Sequence, residues 1–288
     1  MVIVEGQPPL AVAVRAIDSW PVPTAAAAVV GPDGVLAAHG PTTRTFRLAS
    51  VTKLLAAVAV LVGVEEGAVE LDEPAGPPRS TLRHLLAHAS GLVFDGAPAP
   101  RRALTRPGGT RIYSNAGFEA LGEHLVGATG IPFGEYLAQA VCRPLGMRHT
   151  ALAGSPAYGA TGTVDDLALF ARELLAPAVL HPSTLAEATR VQFPGLAGVL
   201  PGFGRQRPCD WGLGFELRDG KAPHWTGQRN SPATFGHFGR AGTFVWVDPV
   251  ARLATVALTD RDFGDWAVAA WPAFSDGVLA AAGQLATR

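Results

Sequence analysis

Strand-like segments lie at both ends of the chain, and the stretch between them has a mostly helical pattern. Two short apolar runs, residues 25–30 and 35–39, flank a Gly-Pro-Asp-Gly turn, which is typical of a β-hairpin. Beyond residue 210, strand-like runs separated by Gly, Asp and Pro turns follow at residues 212–218, 233–239, 242–247 and 253–259. This pattern predicts one antiparallel sheet formed from both chain ends.

Helical patterns fill the middle of the chain. The first, residues 50–66, is apolar on nearly all faces, which predicts a helix buried within the protein. Further helical patterns follow at residues 81–88, 115–127, 133–141, 164–175 and 183–191. An amphipathic helix is predicted for residues 265–286, with a kink or break at Pro272.

Together these patterns predict an α+β fold, an α/β sandwich in which the antiparallel sheet has flanking helices and carries a mostly helical inserted subdomain. We assign residues 1–70 and 205–288 to the subdomain with the sheet and residues 71–204 to the helical subdomain. A functional site is expected at the interface between the two.

Composition and charge exclude several classes of protein. The 288 residues carry 23 basic and 24 acidic side chains, so no nucleic-acid partner is expected. The longest apolar run, residues 54–64, is far shorter than the ~20 residues that cross a bilayer, so no membrane partner is expected either. Cys142 and Cys209 are expected to be ordinary thiols. The first residues lack the pattern of a secretion signal, which favours a cytoplasmic location, with export after removal of a leader as the alternative.

Lysine use singles out one position in the buried helix. Only Lys53 and Lys221 are lysine, and all other basic residues are arginine. Lys221 follows Asp-Gly and is expected to be exposed in a turn. Lys53 lies in the first turn of the apolar helix, where burial and the helix dipole both lower a lysine pKa towards the value that a general base needs.

Ser50 precedes Lys53 by three residues, so the two side chains share one face of the helix. A serine beside a lysine that can lose its proton is a known arrangement for activating a weak nucleophile. From these four residues alone the alternative stays open that Ser50 caps the helix and Lys53 extends to solvent.

Two further segments carry residues that can take part in catalysis or substrate binding. Tyr113 and Asn115 lie at the entry to a predicted helix, where a phenol can share a proton and an amide can hold a carbonyl. His237 lies between glycines on a late strand, where a substrate backbone can approach closely. Taken singly, Asn115 is also a reasonable helix cap and His237 a reasonable structural residue.

In chain order, Ser50-Val51-Thr52-Lys53, Tyr113-Ser114-Asn115 and His237-Phe238-Gly239 resemble the three signature elements of the serine β-lactamase and penicillin-binding-protein superfamily. The resemblance is greatest to its class C-like branch of β-lactamase-related serine hydrolases, esterases and D-aminopeptidases. It runs from about Phe46 to Thr259 and includes residues 85–92, 144–147, 211–215 and 236–243. It implies a β-lactamase/transpeptidase-like fold and a small-molecule ester or amide substrate.

The resemblance implies a role for each matching residue. Ser50 attacks a carbonyl and becomes acylated, and Lys53 and Tyr113 act as general base and acid. The oxyanion lies between the backbone N–H groups of Ser50 and Arg240. The substrate-binding residues are Asn115, His237, Phe238, Gly239 and Arg240. No metal or other cofactor is implied.

One departure from the family pattern bears on the substrate. Phe238 stands where β-lactamases and D-Ala-D-Ala peptidases have Thr or Ser, whose hydroxyl helps to bind a substrate carboxylate. If the Phe238 ring faces the cleft, it favours a neutral ester or amide, although the Arg240 guanidinium could restore an anion site. We therefore favour an esterase-like hydrolase, with a β-lactamase or a D-Ala-type peptidase or transpeptidase as the alternative.

Particular residues also bear on other possible functions and sites. A catalytically weak ligand-binding or sensor protein on the same fold is the alternative from another functional class. His84 and His88 are spaced i, i+4, but Leu85 replaces the glutamate of the His-Glu-x-x-His pattern, so no zinc site is predicted. Trp211 and Trp225 are candidates for the wall of a cleft. The oligomeric state is left open.

Overall fold

The computed structural model describes residues 9–96 and 101–286. Their strands are β1 Ala25–Gly31, β2 Gly34–His39, β3 Phe46–Arg47, β4 Ala151–Leu152, β5 Ala160–Gly162, β6 Gly198–Leu200, β7 Gly204–Gln206, β8 Glu216–Leu217, β9 Phe235–Gly239, β10 Thr243–Asp248 and β11 Leu253–Thr259. Their α-helices are α1 Pro9–Val14, α2 Thr52–Glu65, α3 Leu82–Leu86, α4 Asn115–Thr129, α5 Phe133–Leu137, α6 Arg143–Leu145, α7 Val164–Leu175, α8 Pro182–Ala188 and α9 Asp265–Ala286.

The main sheet has six antiparallel strands in the order β2-β1-β11-β10-β9-β8. Strand β1 pairs with β11, so the two chain ends meet at the centre of the sheet, with Ala25 opposite Thr259 and Val30 opposite Ala254. The fold class predicted from the sequence is confirmed. Two smaller sheets, β3-β5-β4 and β6-β7, lie outside this main sheet.

Both faces of the main sheet are covered by apolar side chains. Along β1, Ala26, Ala28 and Val30 belong to a large core that includes α2. Ala27 and Val29, which alternate with them, belong to a second core together with residues of α1 and α9. Because successive strand residues point to opposite faces, a strand that is apolar throughout must be buried on both sides.

The predicted apolar helix is α2, and residues 52–63 of it are all buried. A 3₁₀ turn, Ala49–Val51, leads into α2. The Leu48 carbonyl just before this turn accepts a hydrogen bond from Thr243 Oγ1 on β10 at 2.9 Å. The contact fixes the start of α2 against the main sheet.

Two local predictions need correction. Of the kink or break predicted at Pro272, the break is absent, because helix α9 continues through this residue. Lys221 is buried, and its ammonium group forms an ion pair with Glu216 and donates to the carbonyl oxygens of Asp210 and Leu217. A turn pattern does not reveal such a partner, because Glu216 comes close to Lys221 only when the chain folds back after β8.

The ends of several other elements differ from the predicted ends. Helix α3 stops at Leu86, because His88 adopts a left-handed backbone conformation with φ of 53°. The strand predicted for residues 212–218 is reduced to Glu216–Leu217. Within the described residues, no helix is long and apolar enough to span a bilayer. The division into two subdomains stays a prediction.

Candidate active site

Ser50 lies in the 3₁₀ turn that precedes α2, at the junction of two cavities. One cavity has a volume of about 290 Å³ and the other about 420 Å³, and Ser50 lines both. Ala49 has a φ of 46°, a backbone conformation that costs a non-glycine residue energy and is concentrated at functional sites. The turn thus presents the Ser50 hydroxyl to open space on two sides.

Gly239, at the end of β9, allows the sheet to approach this turn. A Cβ at Gly239 would overlap the Leu48 carbonyl oxygen and would lie 3.2 Å from the Ala49 Cβ. A glycine is therefore required where β9 passes the turn that carries Ser50.

Lys53 is fully buried one turn further along α2. Its Nζ donates to Asn115 Oδ1 at 2.6 Å and to the Ala157 carbonyl oxygen at 2.9 Å. Within residues 9–96 and 101–286, no hydrogen bond joins Lys53 Nζ to Ser50. Burial lowers the Lys53 pKa to about 7, and the carboxylates of Asp95 and Glu119 oppose that shift.

These two hydrogen bonds suit an uncharged amine. A neutral lysine has two N–H hydrogens and one lone pair. In this neutral form Asn115 and Ala157 accept both hydrogens, which leaves the lone pair of Lys53 free to take up a proton. Close to pH 7 the group exists in comparable amounts with and without its extra proton, as a general base requires.

Asn115 links Lys53 to a carboxylate. Its amide oxygen accepts from Lys53, and its Nδ2 donates to Asp95 Oδ1 at 2.8 Å. Asn115 is the first residue of α4 and does not cap it. The cap is Ser114, whose hydroxyl accepts from the Gly117 N–H at 2.9 Å. The Asn115 side chain is therefore free to bridge the amine and the acid.

We expect Asp95→Asn to move the acid limb of the pH–rate profile to lower pH. The change removes a negative charge that raises the Lys53 pKa, so more of the amine is neutral at a given acidic pH. An asparagine keeps an oxygen that can accept from Asn115. The measurement is kcat/KM for an activated ester between pH 5 and 9. Glu70→Gln removes an equal charge from an exposed position and should leave the profile in place; a profile that stays unmoved in Asp95→Asn would contradict this role of Asp95.

Tyr113 lies over Lys53, with the amine 4.7 Å from the ring centroid. Burial raises the pKa of the phenol, and an interaction with the Ser50 hydroxyl partly opposes this rise. The Tyr113 Oη has no hydrogen bond of standard geometry in the described part of the chain. Tyr113 is thus a neutral phenol, beside both Ser50 and Lys53, with a proton available for a substrate atom.

Two buried histidines border Tyr113. The His237 ring is 5.6 Å and the His88 ring 4.7 Å from the Tyr113 ring, measured between centroids. Burial, together with the nearby Lys53 charge, lowers the His237 pKa to about 3 and the His88 pKa well below its ordinary value. Both imidazoles are neutral at pH 7, so they provide polarity without charge.

Hydrogen bonds fix the orientation of each histidine. His237 Nδ1 donates to the Phe238 carbonyl oxygen at 2.6 Å, which leaves its Nε2 as an acceptor. His88 Nδ1 accepts from the Ser114 N–H at 3.1 Å, which leaves its Nε2 as a donor. The sequence pattern suggested His88 as a metal ligand, and its place beside Tyr113 was not predicted.

The 290 Å³ cavity has a largely apolar wall. The aromatic and aliphatic residues that line it are Phe94, Tyr113, Leu200, Pro201, Trp211, Phe238 and Phe263. Phe238 also packs on Trp225 and Trp271 behind the wall. Of the two tryptophans considered from the sequence, Trp211 lines this cavity and Trp225 is buried outside it. The Arg240 side chain is 87% exposed at the edge of both cavities, 3.7 Å from Asp262.

A family model described as Beta-lactamase matches residues 15–276 of the chain. The chain belongs to the beta-lactamase family. This confirms the resemblance inferred from the three motifs, and it makes the protein a member of a family of serine hydrolases.

One solved structure shares much of the sequence as well as the fold. A beta-lactamase from Mycobacterium bovis is 60% identical, with a TM-score of 0.91, over 94% of this chain and 99% of that one. A curated relative from Escherichia coli K12, the D-alanyl-D-alanine-carboxypeptidase/endopeptidase AmpH, is 28% identical over 143 residues. That match covers 38% of this chain and 37% of the relative, so the chain spans little more than a third of it.

More distant structures share the fold alone. EstCE1, described as a hydrolase with promiscuous acyltransferase activity, is 20% identical, with a TM-score of 0.76, over 94% of this chain and 98% of that one. A LovD simvastatin synthase variant from Aspergillus terreus is 19% identical, with a TM-score of 0.76, over 96% of each chain. The beta-lactamase fold thus occurs in proteins described by several different activities.

Proposed function

We propose that this member of the beta-lactamase family is an esterase-like serine hydrolase that forms an acyl-enzyme on Ser50. The observation that carries the proposal is the complete burial of Lys53 one helical turn after Ser50, where its Nζ has Asn115 Oδ1 and the Ala157 carbonyl oxygen as its acceptors among the described residues. A serine at the junction of two cavities, next to a buried base, is arranged for nucleophilic attack.

In the proposed acylation, Ser50 Oγ bonds to the substrate carbonyl carbon and its proton passes to the lone pair of Lys53. The oxyanion is held by the backbone N–H groups of Ser50 and Arg240, and each such donor contributes about 3 kcal/mol in a preorganised site. As the bond to the leaving group breaks, Lys53 returns the proton to the leaving oxygen through the Tyr113 hydroxyl. In deacylation, water attacks the carbonyl carbon of the acyl-enzyme, and its proton passes through the Tyr113 hydroxyl to Lys53. Lys53 then returns the proton to Ser50 Oγ as the bond between Ser50 and the acyl group breaks.

The lining of the 290 Å³ cavity favours a substrate that has an uncharged apolar group next to the scissile bond. Phe238 lines this cavity and offers no hydrogen-bond donor there. His237 is neutral, and it presents an acceptor that would face a substrate carboxylate unfavourably. Asn115 borders the other cavity, where its remaining amide hydrogen can orient a polar substituent of the substrate.

A comparison of three substrate classes tests the proposal. We expect p-nitrophenyl butyrate to give a kcat/KM at least tenfold above those for nitrocefin and a D-Ala-D-Ala peptide, with a covalent adduct in the intact-protein mass. A reversed order would replace the esterase proposal by the corresponding alternative. Absence of any adduct or turnover would instead favour a ligand-binding or sensor protein.

β-Lactam hydrolysis is the second candidate, because the 60% identical Mycobacterium bovis protein is described as a beta-lactamase. In that case the exposed guanidinium of Arg240 would supply the contact to the substrate carboxylate that Phe238 lacks. Nitrocefin turnover that falls in Arg240→Gln, with ester turnover unchanged, would support this candidate.

We expect Phe238→Thr to lower kcat/KM for the neutral ester by roughly tenfold, because part of a buried aromatic contact with the substrate is lost. The same change should raise the ratio of nitrocefin to ester turnover, since the new hydroxyl can donate to a carboxylate. Phe238→Leu is the matched control, which keeps the wall apolar and should leave the ratio low. Because Phe238 packs on Trp225 and Trp271, the melting temperature of each variant is measured first. An unchanged ratio in folded Phe238→Thr would argue against a role for this residue in selecting neutral substrates.

A further inference from the structure

A groove of about 920 Å³ continues from the apolar cavity beside Ser50. Phe94, Tyr113 and Pro201 line both spaces, so a substrate group in the cavity can extend past these residues into the groove. Residues 109–113 form one wall, and residues 195–199 form much of the other. The groove is therefore part of the same cleft.

Among the residues that the structure describes, the charged residues that line this groove are all arginines. They are Arg111, Arg205 and Arg207, and no described acidic side chain lines the groove with them. The 420 Å³ cavity on the other side of Ser50 differs, because Asp95 and Glu119 line it together with Arg47 and Arg240. The cleft thus has one end whose described lining carries positive charges alone and one end with charges of both signs.

Two of the three guanidinium groups are free to bind an anion in the groove. Arg111 is buried, and its guanidinium already donates to four backbone carbonyl oxygens, including Cys209 O at 3.0 Å and Gln192 O at 2.7 Å, with no carboxylate as partner among the described residues. Arg205 and Arg207 are exposed, and neither side chain makes a hydrogen bond or ion pair with the described residues. An anion in the groove would meet uncompensated positive charge and two guanidinium forks that suit carboxylate or phosphate.

We infer that the groove binds the anionic end of an elongated substrate, whose apolar segment lies in the cavity beside Ser50. The inference rests on the proposed esterase function and deepens it, since it names the substrate class. That class is an ester or amide in which an uncharged apolar segment separates the scissile bond from a terminal carboxylate or phosphate. A negative charge next to the scissile bond would meet the apolar wall, whereas a charge at the far end reaches the arginines.

Matched pairs of esters test this substrate class. The first pair, p-nitrophenyl hexanoate and the mono-p-nitrophenyl ester of adipic acid, carries the charge on the acyl side. The second pair, hexyl acetate and 6-acetoxyhexanoate, carries it on the alcohol side, and 6-acetoxyhexyl phosphate distinguishes phosphate from carboxylate. In at least one pair the anionic ester should have a KM about fivefold or more below that of its neutral partner, and added NaCl should reduce the difference. Equal KM values in both pairs, with the phosphate ester no better, would overturn the inference.

Arginine variants test whether the preference for the anionic ester arises in the groove. In the double variant Arg205→Gln/Arg207→Gln, the preference for the anionic ester should disappear while kcat/KM for its neutral partner stays within about twofold. The double variant Arg143→Gln/Arg148→Gln removes two exposed charges that do not line the groove, and it should keep the preference. Equal loss in both double variants would show a general effect of net charge and would contradict a site in the groove.

Binding to a variant that cannot react separates this inference from the proposed function. Calorimetric titration of Ser50→Ala with adipate monohexyl ester and with hexyl hexanoate needs no turnover. Tighter binding of the anionic ester, lost with the two groove arginines, would support the groove site even if the wild-type protein hydrolysed no ester. Neutral esters turned over without any anionic preference would leave the esterase proposal intact and end this one.

Discussion

Ser50→Ala is expected to abolish ester hydrolysis, with a loss of about 10³- to 10⁶-fold in kcat. The variant retains the binding cavities but has no atom that can form the acyl-enzyme. Labelling by a fluorophosphonate, followed as a mass increase of the intact protein, should disappear with it. The half-buried Ser50 side chain borders open cavities, so the melting temperature should change little.

Ser19→Ala is the matched control, because it removes an exposed serine hydroxyl that lines neither cavity. It should retain both labelling and turnover. Labelling of Ser50→Ala at the wild-type rate would mean that another residue is the nucleophile, and the proposed mechanism would then fail at its first step.

Lys53→Arg is expected to lower the acylation rate by about 10²- to 10⁴-fold, although it retains a positive charge. Arginine does not lose its proton in proteins, so it cannot serve as a general base. The measurement is single-turnover acylation by an activated ester, with folding followed by circular dichroism. Because the larger guanidinium must fit a fully buried space, Lys53→Met provides a second variant without a buried charge.

Both Lys53 variants should be equally defective in acylation if the base is what has been lost. Lys221→Arg is the matched control at the other lysine, because Lys221 forms an ion pair with Glu216 and has no place in the proposed proton path. It should retain most of the activity. A folded Lys53→Arg protein with wild-type acylation would refute the general-base role.

The two lysines also show which features could be predicted from the sequence and which could not. Lys53 could be identified because its surroundings are local: the residues after it form an apolar helix, so its burial follows from the helical pattern itself. Lys221 was wrongly predicted to be exposed, because its partner Glu216 comes near only when the chain folds back after β8, and an Asp-Gly-Lys turn pattern does not indicate that contact.

The candidate site likewise contains residues that could be predicted from the sequence and residues that could not. Ser50, Tyr113, Asn115 and His237 lie in motifs whose spacing and resemblance could be recognised, and the fold brings them to one cleft. Asp95 belongs to no motif, and it reaches the site only in the folded chain, where it lines the 420 Å³ cavity and accepts a hydrogen bond from Asn115. His88 lies in a stretch that resembles the family, but its place beside Tyr113 depends on a backbone turn with positive φ.

That both chain ends contribute to one antiparallel sheet was predictable for a related reason, although the order of its strands was not predicted. Strand patterns at both ends, with helical patterns between them, leave few ways to bury all the apolar faces, and the observed pairing of β1 with β11 is one of them. The extent of the groove could not be predicted, because it depends on how the segment 195–201, which includes β6, lies against residues 109–113.

The most direct test of the account is the pH dependence of fluorophosphonate labelling at Ser50, with the modified residue identified by peptide mapping. The attacking serine needs the neutral form of Lys53, whose pKa burial lowers to about 7. The labelling rate should therefore rise about tenfold per pH unit below pH 7 and level off above about pH 8, with the adduct on Ser50. A rate that stays flat from pH 6 to 9, or an adduct on another residue, would contradict the account.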